Sequence, residues 1–253
     1  MTALPADVIE LPGAAAAPLP PRSMDHPVIY VAAQGALRVQ GRSRRCVVPV
    51  GHLACVAPGV RHVVSAVVPV RAVCLRLPLD QTRSLLQHMG VEPQVHAAPP
   101  VLLELVKDAA TWSGEPPDPL VVRSWLTAFC GLMPRWCSPP LDLDLPVGES
   151  PALRSGLASL LGRLDQPVGL ADAAEVAEVS PRTIQRRCTV ELGLSLSGWL
   201  TRARVLLALE LLTRSDLSIG HIANEAGYQS AAAFTRAFTQ HLGSTPSAWR
   251  ATH

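Results

Sequence analysis

The chain has 253 residues, enough for one large or two ordinary domains, and 48% of them are hydrophobic, which is ample for buried cores. Its 22 basic and 20 acidic residues leave a net charge of +2, so the overall charge by itself indicates no polyanionic partner. The six cysteines lack CxxC spacing, the N-terminus does not resemble a secretory signal, and no uncharged, unbroken apolar run reaches the ~18 residues of a membrane span; we therefore expect a cytoplasmic protein without disulfides and without a membrane partner.

The composition and the apolar spacing of the N-terminal half change twice along the chain. Residues 1–24 are rich in Pro and Ala and predict a disordered tail. From Val28 to Leu77, short β-branched runs alternate with turn residues, which is typical of a small barrel or sandwich. After Pro78 the apolar spacing becomes helical.

The predicted helices at 98–112 and 118–133 carry more apolar surface than one thin barrel can cover. We expect them to form a dimer interface; the alternative is that they pack only on their own barrel. The segment 138–151, "SPPLDLDLPVGESP", is Pro-rich and acidic and predicts a linker. The side chains behind the dimer prediction are Leu102, Leu103, Leu105, Val106, Val121, Trp125 and Phe129.

The region after the linker repeats itself at an offset of 50 residues. Arg186 matches Arg236, and the register includes a glycine and a tryptophan as well as apolar positions. Upstream of the match the offset becomes 49, so one extra residue lies in the turn of the second copy. The remaining matched pairs include Ser180 with Ser230, Ile184 with Phe234, Gly193 with Gly243, and Trp199 with Trp249.

Each copy predicts a helix, a tight turn and a second helix. Ser180 is expected to cap the second helix of the first copy, with Pro181 at its first position. In the second copy Gly227 suits a left-handed turn, whereas Glu178 in the first copy predicts a strained or altered turn. A long amphipathic helix, about 197–213, joins the copies. The fold class is therefore α+β: a small N-terminal β-barrel with helices, then an all-α domain of two helix-turn-helix units.

Residues 152–250 resemble the DNA-binding domain of AraC/XylS-type bacterial transcription regulators. The stretch "LSIGHIANEAGYQSAAAFTRAFTQHLGSTPSAWR" has the I-x-x-I-A, F-x-R-x-F and P-x-x-x-R elements of that family. The N-terminal half more weakly resembles the small cupin-type barrel of many such regulators. The resemblance implies a cupin-like effector and dimerisation domain over 25–137, with strands to about 78 and then helices, and a DNA-binding domain over 152–253. It also implies double-stranded DNA and RNA polymerase as partners, and no enzymatic activity.

The first recognition helix offers Arg182, Thr183, Gln185 and Arg186 near its start. A helix in the major groove presents its N-terminal residues to base edges; Arg can bind guanine bidentately, and Gln suits adenine. Family resemblance places base contacts at Arg182, Gln185 and Arg186. The alternative for each arginine is a solvated or phosphate-contacting side chain.

The second recognition helix begins almost bare, with Ala231 and Ala232 where the family usually has polar side chains. One interpretation is docking on phosphates through the helix N-terminus and polar neighbours; the other is selection of thymine through methyl contact. We favour the first. The polar residues of this copy are Gln229, Ser230, Thr235 and Arg236.

The barrel supplies few metal ligands, and we expect no metal and no cofactor. His26 and His62 are the candidate effector-binding residues; either could instead be a hydrogen-bonded wall residue. Cys46, Cys55 and Cys74 are expected in the core, with a thiol or soft-metal sensor as the alternative. Two function classes remain: a transcription regulator responsive to a small effector, and a cupin-like metal-binding protein or enzyme with a helical appendage. The paired arginines of the repeat favour the regulator.

Overall fold

The structure is a computed structural model that describes residues 6–13, 18–113, 117–136, 139–213 and 217–252. It divides into two compact units, residues 1–144 and residues 145–253. In the part of the chain that is described, no helix has both the length and the apolar character needed to cross a bilayer.

The first unit is built on two antiparallel sheets. The five-stranded sheet has the order β1-β7-β2-β5-β8, and the four-stranded sheet has the order β6-β3-β4-β9. The strands are β1 (Ala6–Leu11), β2 (Val28–Gln34), β3 (Ala36–Gln40), β4 (Arg44–Pro49), β5 (His52–Val56), β6 (Val63–Ser65), β7 (Val70–Arg76), β8 (Gln94–Ala97) and β9 (Asp144–Pro146). The predicted β-rich N-terminal region is confirmed.

Three helices, α1 (Arg83–Leu86), α2 (Pro100–Ala110) and α3 (Pro119–Trp136), cover one face of the five-stranded sheet. Alternate strand residues such as Ile29 and Leu53 point into this helical layer, because successive side chains of a strand face opposite ways. The dimer prediction rested on apolar surface that this packing largely covers. Leu102, Val106, Trp125 and Phe129 are buried in the unit's own core, Leu103 and Leu105 pack partly buried against it, and Val121 stays exposed.

The predicted disordered tail is wrong for part of its length. Ala6–Leu11 pairs antiparallel with β7, and Asp7 forms an ion pair with Arg76 at 2.9 Å. The run "ADVIEL" has the β-branched residues that a strand needs, but its partner lies more than 60 residues away, beyond the reach of a local pattern. Residues 1–5 and 14–17 of the predicted tail lie outside the described residues.

Two boundaries also need correction. A further strand, β8, follows the predicted end of the strands near 78 and pairs with β5. The predicted linker 138–151 contains β9, and the Leu143 carbonyl accepts a hydrogen bond from the Val47 amide at 2.8 Å. Alternation of Leu with Asp is a strand period, and the Asp144 carboxylate is 2.7 Å from an Arg44 guanidinium nitrogen, so the acidic composition does not prevent pairing. Residues 137–138 lie outside the described residues.

The second unit is helical from Pro151 onward, as predicted. In its described residues the α-helices are α4 (Pro151–Leu161), α5 (Leu170–Val176), α6 (Pro181–Arg187), α7 (Leu196–Leu212), α8 (Ile219–Glu225), α9 (Ala231–Leu242) and α10 (Pro246–Thr252). Helices α4, α5 and α6 pack together, and α7 packs on α8 and α9. The long connecting helix is therefore confirmed as α7.

Candidate nucleic-acid interface

The first candidate recognition helix, α6, begins as its sequence predicts. Ser180 is extended, and its Oγ accepts a hydrogen bond from the Thr183 amide at 3.2 Å, while Pro181 occupies the first helical position. Ile184 is completely buried and anchors one face of the helix. The opposite face is left to solvent.

That solvent face carries the predicted reading residues. Arg182, Gln185 and Arg186 are all exposed. Within the described ranges none of these side chains has a hydrogen-bonding or ionic partner, so their donors and acceptors are available to a ligand. Thr183 differs from them because it is half-buried and its hydroxyl lies 2.9 Å from the Ser180 hydroxyl. We therefore assign Thr183 to the cap, where its hydroxyl is less available for outside contact.

The turn before α6 has the altered geometry predicted from Glu178. This residue has φ 51° and is the one non-glycine residue with positive φ in the described parts of the chain. Left-handed backbone is unfavourable for a side chain with a Cβ, so the turn stores strain. The corresponding Gly227 of the second copy, φ 77°, avoids that cost.

The turn at Gly227 also packs closely against the segment that follows α4. A Cβ built on Gly227 would lie 1.9 Å from the carbonyl oxygen of Leu164, and that oxygen accepts a hydrogen bond from Arg204 Nε at 3.0 Å. Arg204 Nη2 also donates to the carbonyl of Gln166 at 3.0 Å. The turn of the second helix-turn-helix is thereby fixed to the segment after α4.

The second candidate recognition helix, α9, has a buried and a bare side. Phe234 and Phe238 are completely buried, with ring centroids 5.6 Å apart, as their four-residue spacing predicts. Ser230 caps the helix through a hydrogen bond from the Ala233 amide at 3.2 Å. Ala231 and Ala232 are exposed, which confirms the nearly bare start.

Beyond the alanines, the exposed side of α9 continues as a polar stripe. Thr235 and Arg236 are followed one turn later by Thr239 and Gln240, and all four lie with the alanines on one open face of α9. No residue in the described segments pairs with the Arg236 or Gln240 side chain. Thr239 and Gln240 are not among the contact residues predicted from the sequence, although their four-residue spacing from Thr235 and Arg236 is the signal that identifies them.

Gln229 lies just before the Ser230 cap, and both are exposed. The Ser230 hydroxyl oxygen is occupied by the cap, but its proton is free to be donated. The predicted DNA-contact residues thus lie on the two helices or at their N-terminal caps, except Gln229, which directly precedes a cap.

In the first unit the candidate effector residues have different surroundings. His62 is buried; its Nδ1 lies 2.9 Å from the Val60 carbonyl and its Nε2 lies 2.8 Å from the Tyr30 hydroxyl. Nδ1 therefore carries the proton and Nε2 accepts from Tyr30, which leaves no ring nitrogen for an effector. Burial lowers the pKa of His62, and it raises the pKa of Tyr30. The geometry of His62 thus fits the alternative interpretation, in which it is a hydrogen-bonded structural residue and not an effector-binding one.

His26 is half-buried and its Nδ1 lies 2.7 Å from an Asp25 oxygen, while Nε2 has no partner in the described ranges. Among the described residues no hydrogen bond joins His26 to His62. Cys46, Cys55 and Cys74 are buried, and burial raises the pKa of Cys74 to about 11. A thiol with that pKa is protonated at neutral pH, which disfavours the sensor alternative. Among the described residues, no three His, Cys, Asp or Glu side chains lie close enough together to hold a metal ion.

Comparison with known proteins concerns the second unit. A family model described as "Helix-turn-helix domain" matches residues 173–252. The transcriptional regulator RipA of Corynebacterium glutamicum is 37% identical over 106 residues, covering 41% of this chain and 32% of RipA. The transcriptional activator RhaR of Escherichia coli is 30% identical over 105 residues, covering 42% and 37% of the two chains. The chain therefore spans about a third of the length of the curated relatives that it matches.

Among solved structures, the DNA-binding domain of AdpA in complex with a target DNA is 35% identical, with a TM-score of 0.38, and covers 41% of this chain and 93% of that one. Residues 173–252, which match the helix-turn-helix family model, include α6, α7 and α9. This part of the chain is therefore similar to the helix-turn-helix domain.

Proposed function

We propose that this protein is a sequence-specific DNA-binding transcription regulator of the AraC/XylS type. The observation that carries the proposal is the pair of capped helices, α6 and α9, which present Arg186 and Arg236 at equivalent places of the repeat. Both side chains are exposed, and neither has a protein partner in the described segments. The helix-turn-helix match and the regulator relatives support the same conclusion.

In this proposal α6 reads bases directly. Arg182 and Arg186 can each bind guanine O6 and N7, and Gln185 can bind adenine N6 and N7, in each case with two parallel hydrogen bonds. These side chains are exposed and have no partner among the described residues, so no bond to that part of the chain has to be broken first. Two recognition helices of one domain would enter successive major grooves, roughly one helical turn or ~34 Å apart.

The first turn of α9 would dock differently. Gln229 and Ser230 would contact phosphates at the helix N-terminus, where amide groups and the helix dipole favour an anion, and Arg236 would contact a phosphate from the second turn. Ala231 and Ala232 allow close approach and can touch a thymine methyl, but they cannot read a hydrogen-bond pattern. The bases beneath them should be degenerate or T-rich.

The first unit would supply regulation. We assign it as a cupin-like domain that binds a small effector, with His26 as the remaining histidine candidate because its Nε2 is free in the described parts of the chain. A homodimer and contact with RNA polymerase are further parts of the proposal that rest on the family resemblance. Light scattering of the full chain at micromolar concentration, with and without DNA, tests the dimer.

The experiment that tests the function is selection of binding sites from random DNA with the full chain, beside a gel shift on the DNA upstream of its own coding region. We expect a bipartite site and affinity that falls steeply with salt, since arginine–phosphate contacts release counterions. A metal analysis of the purified protein accompanies it. Stoichiometric metal, together with equal affinity for all DNA sequences, would instead favour the cupin-like metal-binding protein or enzyme.

A further inference from the structure

The exposed stripe of α9 does not end where the predicted contacts end. It continues from Thr235 and Arg236 to Thr239 and Gln240, one helical turn further from the cap. The Gln240 side chain is exposed, and it has no hydrogen-bonding partner within the described residues. The Gln240 amide lies on the same face of α9 as Arg236. It is uncharged, and its oxygen and nitrogen have the acceptor and donor pattern that fits an adenine edge.

The first copy matches Thr239 with Thr189, but it has no polar residue at the position equivalent to Gln240. Val190 corresponds to Gln240, is 75% exposed, and lies in the wide π-helical turn Cys188–Leu192 that follows α6. The α9 helix instead continues regularly for 12 residues to Leu242 and ends at Gly243, φ 73°. The two copies share polar side chains at the middle positions, where Gln185 and Arg186 match Thr235 and Arg236, but they differ at the ends. Arg182 has an alanine at the equivalent place of α9, and Gln240 has Val190 at the equivalent place of the first copy.

The bare start of α9 gives this asymmetry a physical consequence. Because Ala231 and Ala232 end at Cβ, the N-terminal end of α9 can lie deeper in a groove than a helix with long polar side chains there. Without long side chains at the start to hold it off, the whole helix axis can come nearer to the groove floor, so that residues one turn further along also reach base edges. A 12-residue helix is ~18 Å long, so it can follow the groove over several base pairs.

From these observations, and resting on the proposed DNA-binding function, we propose that Gln240 is a base-reading, specificity-determining residue, and that the second half-site is read by the later turns of α9. The base it selects is adenine, contacted through N6 and N7. Thr239 lies next to Gln240 on the same face of α9 and is half-buried. Gln240 is uncharged and so gains less from a phosphate than an arginine does, which favours a base as its partner.

The test is selection from random DNA with the full-length protein, its Gln240→Ala and Gln240→Glu variants, and Gln229→Ala as the matched control. Gln229 is also exposed and unpaired in the described region, but it precedes the helix. Gln240→Ala should reduce discrimination at a single base pair by about 5- to 150-fold and leave the other positions unchanged. Gln240→Glu should shift the preferred base there from adenine toward cytosine, because a carboxylate accepts from cytosine N4.

Gln229→Ala should leave the sequence preference intact. If Gln240→Ala instead lowers affinity equally for all sequences and Gln240→Glu selects no new base, Gln240 contacts phosphate and the inference is wrong, while the proposed function stands. If the wild-type protein selects no site at all, the proposed function fails as well. Circular dichroism of each variant, expected to match the wild type because the position is exposed and alanine favours helix, verifies folding.

Discussion

Replacing Gly227 by alanine tests whether the turn of the second helix-turn-helix is held as tightly as the geometry indicates. The added Cβ would lie 1.9 Å from the Leu164 carbonyl oxygen and 2.9 Å from Arg204 Nε. Neither distance is compatible with a real carbon contact, so backbone must move. Gly243 provides a matched control, because it has nearly the same φ, 73° against 77°, but no atom within 4 Å of its added Cβ.

The expected cost has three parts. Alanine at positive φ costs about 1 kcal/mol at either glycine. At Gly227 alone, forcing a carbon into the packed turn adds about 1–3 kcal/mol, and losing the Arg204 bond to the Leu164 carbonyl adds about 1–3 kcal/mol. Gly227→Ala should therefore destabilise the second unit by at least about 3 kcal/mol, against about 1 kcal/mol for Gly243→Ala.

Urea denaturation of the full chain, followed by circular dichroism at 222 nm, reports mainly on the helical second unit. The midpoint should fall far more for Gly227→Ala than for Gly243→Ala. Equal shifts for the two variants would refute the reasoning, because they would mean that the turn relaxes without cost.

Three other predictions concern single side chains. Glu178→Gly should raise the free energy of unfolding by about 0.5 kcal/mol in the same urea assay, because relief of the left-handed strain outweighs the added chain entropy; a loss of stability would show that the turn is unstrained. Burial lowers the pKa of His62 and His96 in the folded state, so the unfolded state binds more protons, and the melting temperature should fall as pH falls below about 6.5; a flat profile from pH 8 to pH 5 would contradict this. Arg182→Ala should relax preference at one base pair, whereas Arg236→Ala should lower affinity for all sequences evenly, and random-DNA selection with both variants would expose the reverse pattern if it occurred.

Features set by neighbouring residues could be predicted from the sequence. The caps at Ser180 and Ser230, the left-handed Gly227 and the shared face of Phe234 and Phe238 each depend on residues within four positions of one another. Because the sequence is repeated, the cap and the spacing of apolar residues occur twice, and each copy supports the prediction made from the other. The helical second unit was accordingly predicted almost completely.

Features set by distant partners could not be predicted. The strand Ala6–Leu11 needs β7, and the neutral tautomer of His62 depends on Tyr30, 32 residues away. Leu143 joins a sheet through Val47 although its neighbours are prolines and aspartates. Gln240 was overlooked for another reason: contact positions were transferred from the family's first helical turns, and α9 departs from the family there.

Arg204 donates hydrogen bonds to the carbonyls of Leu164 and Gln166, and the turn at Gly227 packs closely against them. These contacts limit which DNA sites the two helices can occupy together. They tie the second recognition helix to the helical layer that supports the first, so the phasing between the two helices cannot adjust to the DNA. Inserting one base pair between half-sites would rotate one groove by roughly a tenth of a turn relative to the other. Under the proposed function, target sites in the genome should therefore form a bipartite motif with one fixed spacing, and operators with variable spacers should be absent.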